Sequence, residues 1–245
     1  MYHWRTSLAS ARGPVDLAFT DRYGGASAVP FDELNLALEG EDDLAVCAAN
    51  LRLVAADFAP GAVVADMRQV HGDAVEVVEE GDPTDRPEAD ALVTRRTDTV
   101  LVVRVADCVP VLLADPATGL VGAVHAGRPG LAAGVAPAAV ARMRDLGAGA
   151  VTAWLGPHVC GACYEVPEAL QAEVGALVPA AVATTSWGTP SLDLAAGLRA
   201  QLEALDVTVH DVATCTRESP DLYSYRRDGA RAGRFAGLIR RRPGA

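Results

Sequence analysis

Ala106-Asp107-Cys108 and His125-Ala126-Gly127 bracket a strongly apolar stretch, placing a thiol and an imidazole at the two ends of one segment. Val109–Ala114 and Leu120–Val124 read as strands, and Asp115-Pro116-Ala117-Thr118-Gly119 supplies the turn residues that fold them into a hairpin. A register that pairs Cys108 with His125 puts their Cβ atoms about 4.5–5.5 Å apart, close enough to share one metal ion or one proton. His71, within Arg68-Gln69-Val70-His71-Gly72, stands at the edge of another apolar run beside a glycine, where side chains reach a cleft. Two imidazoles and a thiolate form a borderline-soft donor set suited to Zn²⁺, with copper next. Three protein ligands leave a fourth position open, the pattern of a catalytic rather than a structural zinc site. Without a metal, Cys108 as nucleophile and His125 as base would serve a hydrolase or amidase. A third reading is a non-catalytic binding module.

Two further groups carry polar chemistry. Cys160-Gly161-Ala162-Cys163 has the spacing of a redox dithiol or half a zinc ribbon. No second such pair follows it, and His158 is not part of a His-x-Glu motif. A loop near the site is therefore preferred to a redox role. Cys215-Thr216 and Tyr223-Ser224-Tyr225-Arg226-Arg227-Asp228-Gly229 place adjacent arginines beside aromatics, suited to clamping a phosphate, stacking on a base, or forming a surface ion-pair cluster. His3, His210 and Cys47 read as structural or solvated.

Composition narrows the possible partners. The 245 residues carry a formal charge of −11 and half are hydrophobic, enough for a substantial core, and one domain spanning 1–245 is expected. The acidic balance argues against nucleic acid, which is bound by clustered basic residues, and favours small molecules. The N-terminal residues lack an apolar signal core and no run is long enough to cross a bilayer, so a cytoplasmic protein without membrane contact is expected. Five cysteines make a disulfide framework improbable there. All 21 basic residues are arginine. Without lysine, a Schiff base, a pyridoxal anchor and a P-loop are excluded, and an anion must be met by arginine, histidine or backbone amides.

The elements that must position these groups follow from periodicity. Residues 15–19 read as the first strand, and Glu39 to Asp43 as the acidic start of a helix over Leu44–Phe58. Strands are expected at 63–70, 74–78, 91–94, 100–105, 151–155 and 207–214, with a solvated acidic loop at 79–88. Helices are expected at 130–146, kinked at Pro137, and at 168–177 and 192–205. Arg240-Arg241-Arg242 reads as a frayed, solvated tail.

The ordered motifs resemble the laccase-domain family, first described as multicopper polyphenol oxidases and later as purine nucleoside phosphorylases with adenosine deaminase activity. Thr20-Asp21-Arg22-Tyr23-Gly24-Gly25, Gln69-Val70-His71-Gly72, Ala89-Asp90-Ala91-Leu92-Val93-Thr94 and Ala106-Asp107-Cys108-Val109-Pro110-Val111 carry the first half. His125-Ala126-Gly127, Gly156-Pro157, Cys163-Tyr164-Glu165-Val166, Cys215-Thr216, Ser224 to Gly229 and Gly233-Arg234 carry the second. The resemblance implies an α+β fold, a single-domain layered α/β/β/α sandwich with mixed sheets related to a cysteine-dependent deamidase toxin. It also implies His71, Cys108 and His125 as zinc ligands, and purine nucleosides (adenosine, inosine, methylthioadenosine) with phosphate as substrates. Arg68 and Arg226 are the candidate phosphate ligands. A multicopper oxidase ranks low, because five histidines are too few for such a cluster. The chain departs from the family at Arg128-Pro129, where Trp-Arg is usual, and at Gly197, where a helix usually carries Asn.

Overall fold

The apolar runs fold into two mixed sheets packed face to face, in a computed structural model that describes residues 1–79, 86–212 and 214–244. The chain begins with β1 (Tyr2–Leu8), β2 (Val15–Thr20), α1 (Leu44–Phe58), β3 (Val63–Ala65), β4 (Val75–Val77), β5 (Ala91–Thr94) and β6 (Thr99–Val105). The central hairpin is β7 (Val109–Asp115) and β8 (Leu120–Ala126), followed by α2 (Arg128–Ala133), α3 (Val135–Asp145) and β9 (Thr152–Leu155). Then come α4 (Glu168–Leu177), β10 (Val182–Thr184), β11 (Pro190–Leu192), α5 (Leu194–Glu203), β12 (Thr208–Asp211), α6 (Tyr225–Asp228) and β13 (Phe235–Arg241).

The first sheet has the order β1-β2-β13-β6-β3 and the second β12-β9-β7-β8-β5-β4; β10 and β11 pair separately. Each large sheet mixes antiparallel pairs with parallel edges, β3 on β6 in one and β4 on β5 and β12 on β9 in the other. One core lies between the sheets, where Phe19, Leu101, Val103 and Phe235 meet Leu112, Val121 and Trp154. A second covers the outer face of the second sheet with α2 to α5, and a third packs Val54 and Phe58 of α1 on the first sheet. These are the four α/β/β/α layers. Strands β6, β7 and β8 are buried along their whole length because both faces are covered, which is why they read as continuous apolar runs rather than alternating ones.

Several expectations change. The chain starts one strand earlier, at β1, a mostly half-buried edge strand whose polar residues hide its pattern. The tail is not frayed: β13 lies between β2 and β6, and Asp16 pairs with both Arg240 and Arg242. Its charges sit at the strand's end, while Phe235 to Ile239 fill the core. The expected kinked helix is two helices broken at Gly134, whose φ of 84° is left-handed and favours glycine. Pro137 falls in the first turn of α3, where a missing N–H leaves no intrahelical bond unmade. The strands expected at 63–70 and 74–78 shorten to β3 and β4, and the helix expected at 192–205 starts at Leu194, capped by Asp193. The late strand is β12 alone; residue 213, and residues 80–85 of the acidic loop, lie outside the described residues. Of the acids before α1, Asp43 caps the helix through Ala45 N, and Asp42 instead accepts from Asn35 and Cys47. Gly197 packs where a Cβ would meet Ala181, Val178 and Leu131 at 3.0–3.1 Å, so any larger side chain would be crowded there.

Candidate metal centre and its arginine-lined cavity

The chain passes from the first sheet to the second between β3 and β4 and again between β6 and β7. His71 lies on the first crossing and Cys108 on the second. His125 precedes the last residue of β8, at the end of the hairpin where β7 begins. All three therefore collect at one end of the sandwich. In the hairpin His125 faces Pro110, so Cys108 is its diagonal neighbour rather than its direct partner. Residues two apart on a strand share a face, and the contact survives the shift. The donor atoms of His71, Cys108 and His125 all lie within 4.8 Å of one another, with Cys108 Sγ 3.9 Å from His71 Nε2. The two imidazoles meet edge to face at 4.7 Å between centroids.

Two left-handed residues shape the crossings. His71 has φ 61°, which lets the N–H groups of Val70, His71 and Gly72 converge on the Asp90 carboxylate at 3.2, 3.0 and 2.6 Å. Asp107 has φ 91° and accepts from Thr216 Oγ1 and Arg226 N, both at 2.6 Å. Gly127 is required for a different reason. A Cβ there would stand 2.6 Å from His71 Cδ2 and 3.2 Å from Cys108 Sγ.

Asp90, the residue before β5, is fully buried and also accepts from His125 Nδ1 at 2.7 Å. That bond turns Nε2 of His125 toward the thiol, as a carboxylate behind a metal-binding histidine does. Sequence reasoning gave Asp90 no role, although it stands in a quoted motif; no local spacing links it to His125. Burial pushes the Asp90 carboxyl up, but His125 and the N–H groups of Gly72 and His71 outweigh it and hold it below the usual range. Burial likewise opposes charge at Cys108 and His125, yet each stabilises the other. Cys108 is held down to about 6, with His71 contributing, and His125 is raised to about 9 by the Cys108 thiolate and Asp90. Two nitrogens and one polarised sulfur, the rear nitrogen of one imidazole fixed by a carboxylate, fit the donor chemistry of zinc.

The cluster opens into a cavity of about 750 Å³ lined by five arginines, Arg68, Arg104, Arg128, Arg226 and Arg234, against the acids Glu39 and Asp107. Five arginines against two acids give the lining an excess of positive charge in a chain of charge −11. Arg68 is exposed and paired with Glu88 at 2.5 Å. Arg226 donates to Glu165 O at 2.9 Å and lies over the Tyr164 ring at 4.5 Å. Its neighbour Arg227 instead ties Thr216, Ser219 and Leu222 carbonyls together and is structural. Arg104 was missed by sequence reasoning, because it sits within an apolar strand. It is buried against Asp66 at 2.7 Å, and its Nη1 has no protein partner. Arg128 lines the cavity from the first residue of α2.

Cys215 comes to the Cys160/Cys163 pair: Cys160 N donates to Cys215 Sγ, and Cys163 Sγ contacts Glu218 at 3.4 Å. Burial, then Cys215 and Glu218, push the Cys163 thiol up to about 12. Among the described residues, His3 bonds Thr214, His210 stacks on Trp154 and Cys47 bonds Asp42, all structural contacts.

Residues 16–242 match the family described as Multi-copper polyphenol oxidoreductase laccase. A purine nucleoside phosphorylase of Streptomyces coelicolor is 54% identical over 231 residues, covering 90% of this chain and 93% of that one. One from Mycobacterium tuberculosis is 48% identical, covering 90% and 89%. Among solved structures, a Neisseria meningitidis protein superposes with a TM-score of 0.85 at 31% identity, covering 97% of this chain and 99% of its own. YlmD from Geobacillus stearothermophilus gives 0.84 at 30% identity, covering 98% and 100%. No helix among the described residues is long and apolar enough to cross a membrane. With most of its length matched by family, relatives and fold alike, the chain belongs to the laccase-like family described as multi-copper polyphenol oxidoreductases.

Proposed function

We propose that this protein is a zinc-dependent purine nucleoside phosphorylase acting on adenosine, inosine and methylthioadenosine, with adenosine deaminase activity. The observation that carries the reading is a soft three-donor cluster opening into a cavity lined by five arginines, in a chain whose relatives are named purine nucleoside phosphorylases. His71, Cys108 and His125 would hold the zinc, which supplies Lewis acidity when bound. Two histidines and one cysteine at one point suit zinc better than a multicopper cluster, which needs more imidazoles.

Phosphorolysis breaks the bond between ribose and purine as phosphate attacks the anomeric carbon, through an oxocarbenium-like state. The chain's part is to bind and aim the anion. Arg226 presents a planar fork steadied by Glu165 O and Tyr164, and Arg68 is an exposed charge that must leave Glu88 to help. Buried Arg104 adds a fixed positive charge behind them. Asp107 is engaged by Thr216 and Arg226 N and positions the wall rather than reacting. Lining residues range from Ala37 to Arg234, which supports treating 1–245 as one functional domain. Five unpaired cysteines support a cytoplasmic setting.

A second reading has a specific observation in its favour. Asp90, His125 and Cys108 form a carboxylate-imidazole-thiol series whose thiol is held down to about 6, the activation a metal-free cysteine hydrolase requires. One experiment separates the two. Purified protein, with and without zinc, is incubated with adenosine or inosine in the presence and absence of phosphate, and adenine, inosine and hypoxanthine are resolved by chromatography. Phosphate-dependent release of base by the zinc form only is expected. Equal activity after zinc removal overturns the zinc reading, and base release independent of phosphate overturns phosphorolysis.

A further inference from the structure

A second group of soft donors lies outside the cluster described above. Cys160, Cys163 and Cys215 with Glu218 bring their sulfur and carboxylate atoms within 4.8 Å of one another. Tetrahedral ligation at about 2.3 Å per sulfur sets sulfurs about 3.8 Å apart, so closing on an ion needs movement on the order of 1 Å. The chain already makes the geometry by turning tightly. Cys163 N and Tyr164 N both donate to Cys160 O, which puts the two thiols on one side of a single turn. The backbone then brings the third cysteine across, with His158 and Cys215 bridged as in a short parallel ladder and Thr216 N donating to His158 O.

We infer that Cys160, Cys163, Cys215 and Glu218 form a second metal site, closed and structural, for a thiophilic divalent ion such as Zn²⁺. Three sulfurs and one oxygen complete four-coordination from protein alone, whereas His71, Cys108 and His125 leave a position open. The charge balance points the same way. Ligated as thiolates, the three cysteines and Glu218 carry negative charge that only the ion offsets, because the nearby Arg217 is engaged elsewhere, with its guanidinium on the Trp187 ring and on Cys163 O. Binding expels the thiol protons to solvent and forms metal–sulfur bonds, with no change in oxidation state.

The place of the site gives it a purpose. Cys163 is followed by Tyr164, the ring beneath Arg226, and Cys215 by Thr216, which holds Asp107. An ion here pins the loop that carries Val159 and Tyr164 into the cavity wall to the loop whose Thr216 holds Asp107 behind it. It is a positioning site, without contact to the reacting atoms.

The test uses Cys108→Ser, which removes a donor and the only sulfur from the first cluster. Wild-type and C108S proteins, reduced and stripped of metal, are loaded with zinc, dialysed and assayed by elemental analysis. C108S should retain about one zinc per chain. Loaded with Co²⁺ instead, C108S should show near-ultraviolet thiolate-to-metal bands, which only the second group can supply. C108S/C215S should lose both the retained zinc and these bands. Where circular dichroism shows that this variant is unfolded, C108S/E218Q replaces it, expected to keep the bands and release zinc to a chelator faster than C108S. A folded C108S that retains no zinc and shows no thiolate bands overturns the inference. So does a Cys160–Cys163 disulfide that re-forms on air exposure of zinc-loaded protein, found by mass spectrometry of alkylated peptides.

Discussion

Asp90→Asn keeps the shape of a fully buried side chain and removes its charge. Four donors converge on the carboxylate: His71 N and His125 Nδ1 on Oδ1 at 3.0 and 2.7 Å, and Val70 N and Gly72 N on Oδ2 at 3.2 and 2.6 Å. An amide offers one accepting oxygen and one donating NH₂, so either orientation strands donors. With the oxygen toward His71 and His125, the N–H groups of Val70 and Gly72 face an NH₂. With the oxygen reversed, His71 N–H and His125 Nδ1 face it. Only the imidazole can adapt, by moving its proton to Nε2, and a protonated Nε2 is no longer a metal donor. At about 1–3 kcal/mol per stranded buried donor, the first orientation costs about 2–6 kcal/mol and the second about 1–3. The second therefore prevails, and loss of the charge-assisted bonds brings the expected destabilisation to about 2–4 kcal/mol. For a chain of this size that lowers Tm by about 4–16 °C. Zinc affinity should fall about 10- to 100-fold, as it does when the group behind a metal-binding histidine is lost. Thermal unfolding of the metal-free protein and zinc competition against a chelator measure the two effects. Unchanged zinc affinity alongside a lowered Tm would refute the tautomer argument, and an unchanged Tm would refute the convergence of donors on Asp90.

Gly127→Ala sets a methyl 2.6 Å from the His71 ring in a backbone conformation that alanine tolerates, so zinc affinity should fall at least tenfold while stability changes by no more than about 1–3 kcal/mol. Isothermal titration calorimetry and thermal unfolding check this, and wild-type zinc binding would show that His71 is not needed. In the metal-free protein, His125 rises from 6.5 to about 9, so its stabilisation is complete below 6.5 and is lost as pH climbs through about 9. Cys108 falls from 9.0 to about 6, so its stabilisation is complete above 9.0 and is lost as pH drops through about 6. Iodoacetamide should therefore alkylate Cys108 at a nearly constant rate from pH 9 down to about 7 and at about half that rate near pH 6, followed by peptide mass spectrometry; a rate that declines already below pH 9 contradicts the ion pair. Arg226→Lys keeps the charge but loses the fork, the bond to Glu165 O and the stacking on Tyr164. Its apparent KM for phosphate should rise with zinc content unchanged, and an unaltered phosphate dependence removes Arg226 from the anion site.

The sequence by itself determined the buried strands of the hairpin region and the reactive ends, while the layers were implied only by the family resemblance. Runs of Val, Leu and Ala at β6, β7 and β8 are apolar without alternation because both faces are covered, and Asp115 to Gly119 can only turn. The hairpin, and with it the proximity of Cys108 to His125, follows from that local pattern. The absence of lysine likewise fixes which groups can meet an anion.

Tertiary structure decided what depends on partners distant in the chain. The diagonal offset of Cys108 from His125 is a matter of register, which two apolar strands of similar composition leave open until both sheets pack. Asp90 belongs to the site because β5 lies beside β8, and Arg104 because β6 reaches the cavity from the opposite sheet. The arginine-rich tail is a central strand because Asp16 pairs with Arg240 and Arg242 at its charged end and Phe235 to Ile239 fill the core, its pairing with β2 joining residues more than 200 apart in sequence. Cys215 joins Cys160 and Cys163 through a bridge between loops 55 residues apart, so the one spacing visible in the sequence shows half of that donor set. Spacing reports neighbours within an element; the assembly of elements from both sheets at one end is set by burial of the shared core, and that is where the candidate chemistry lies.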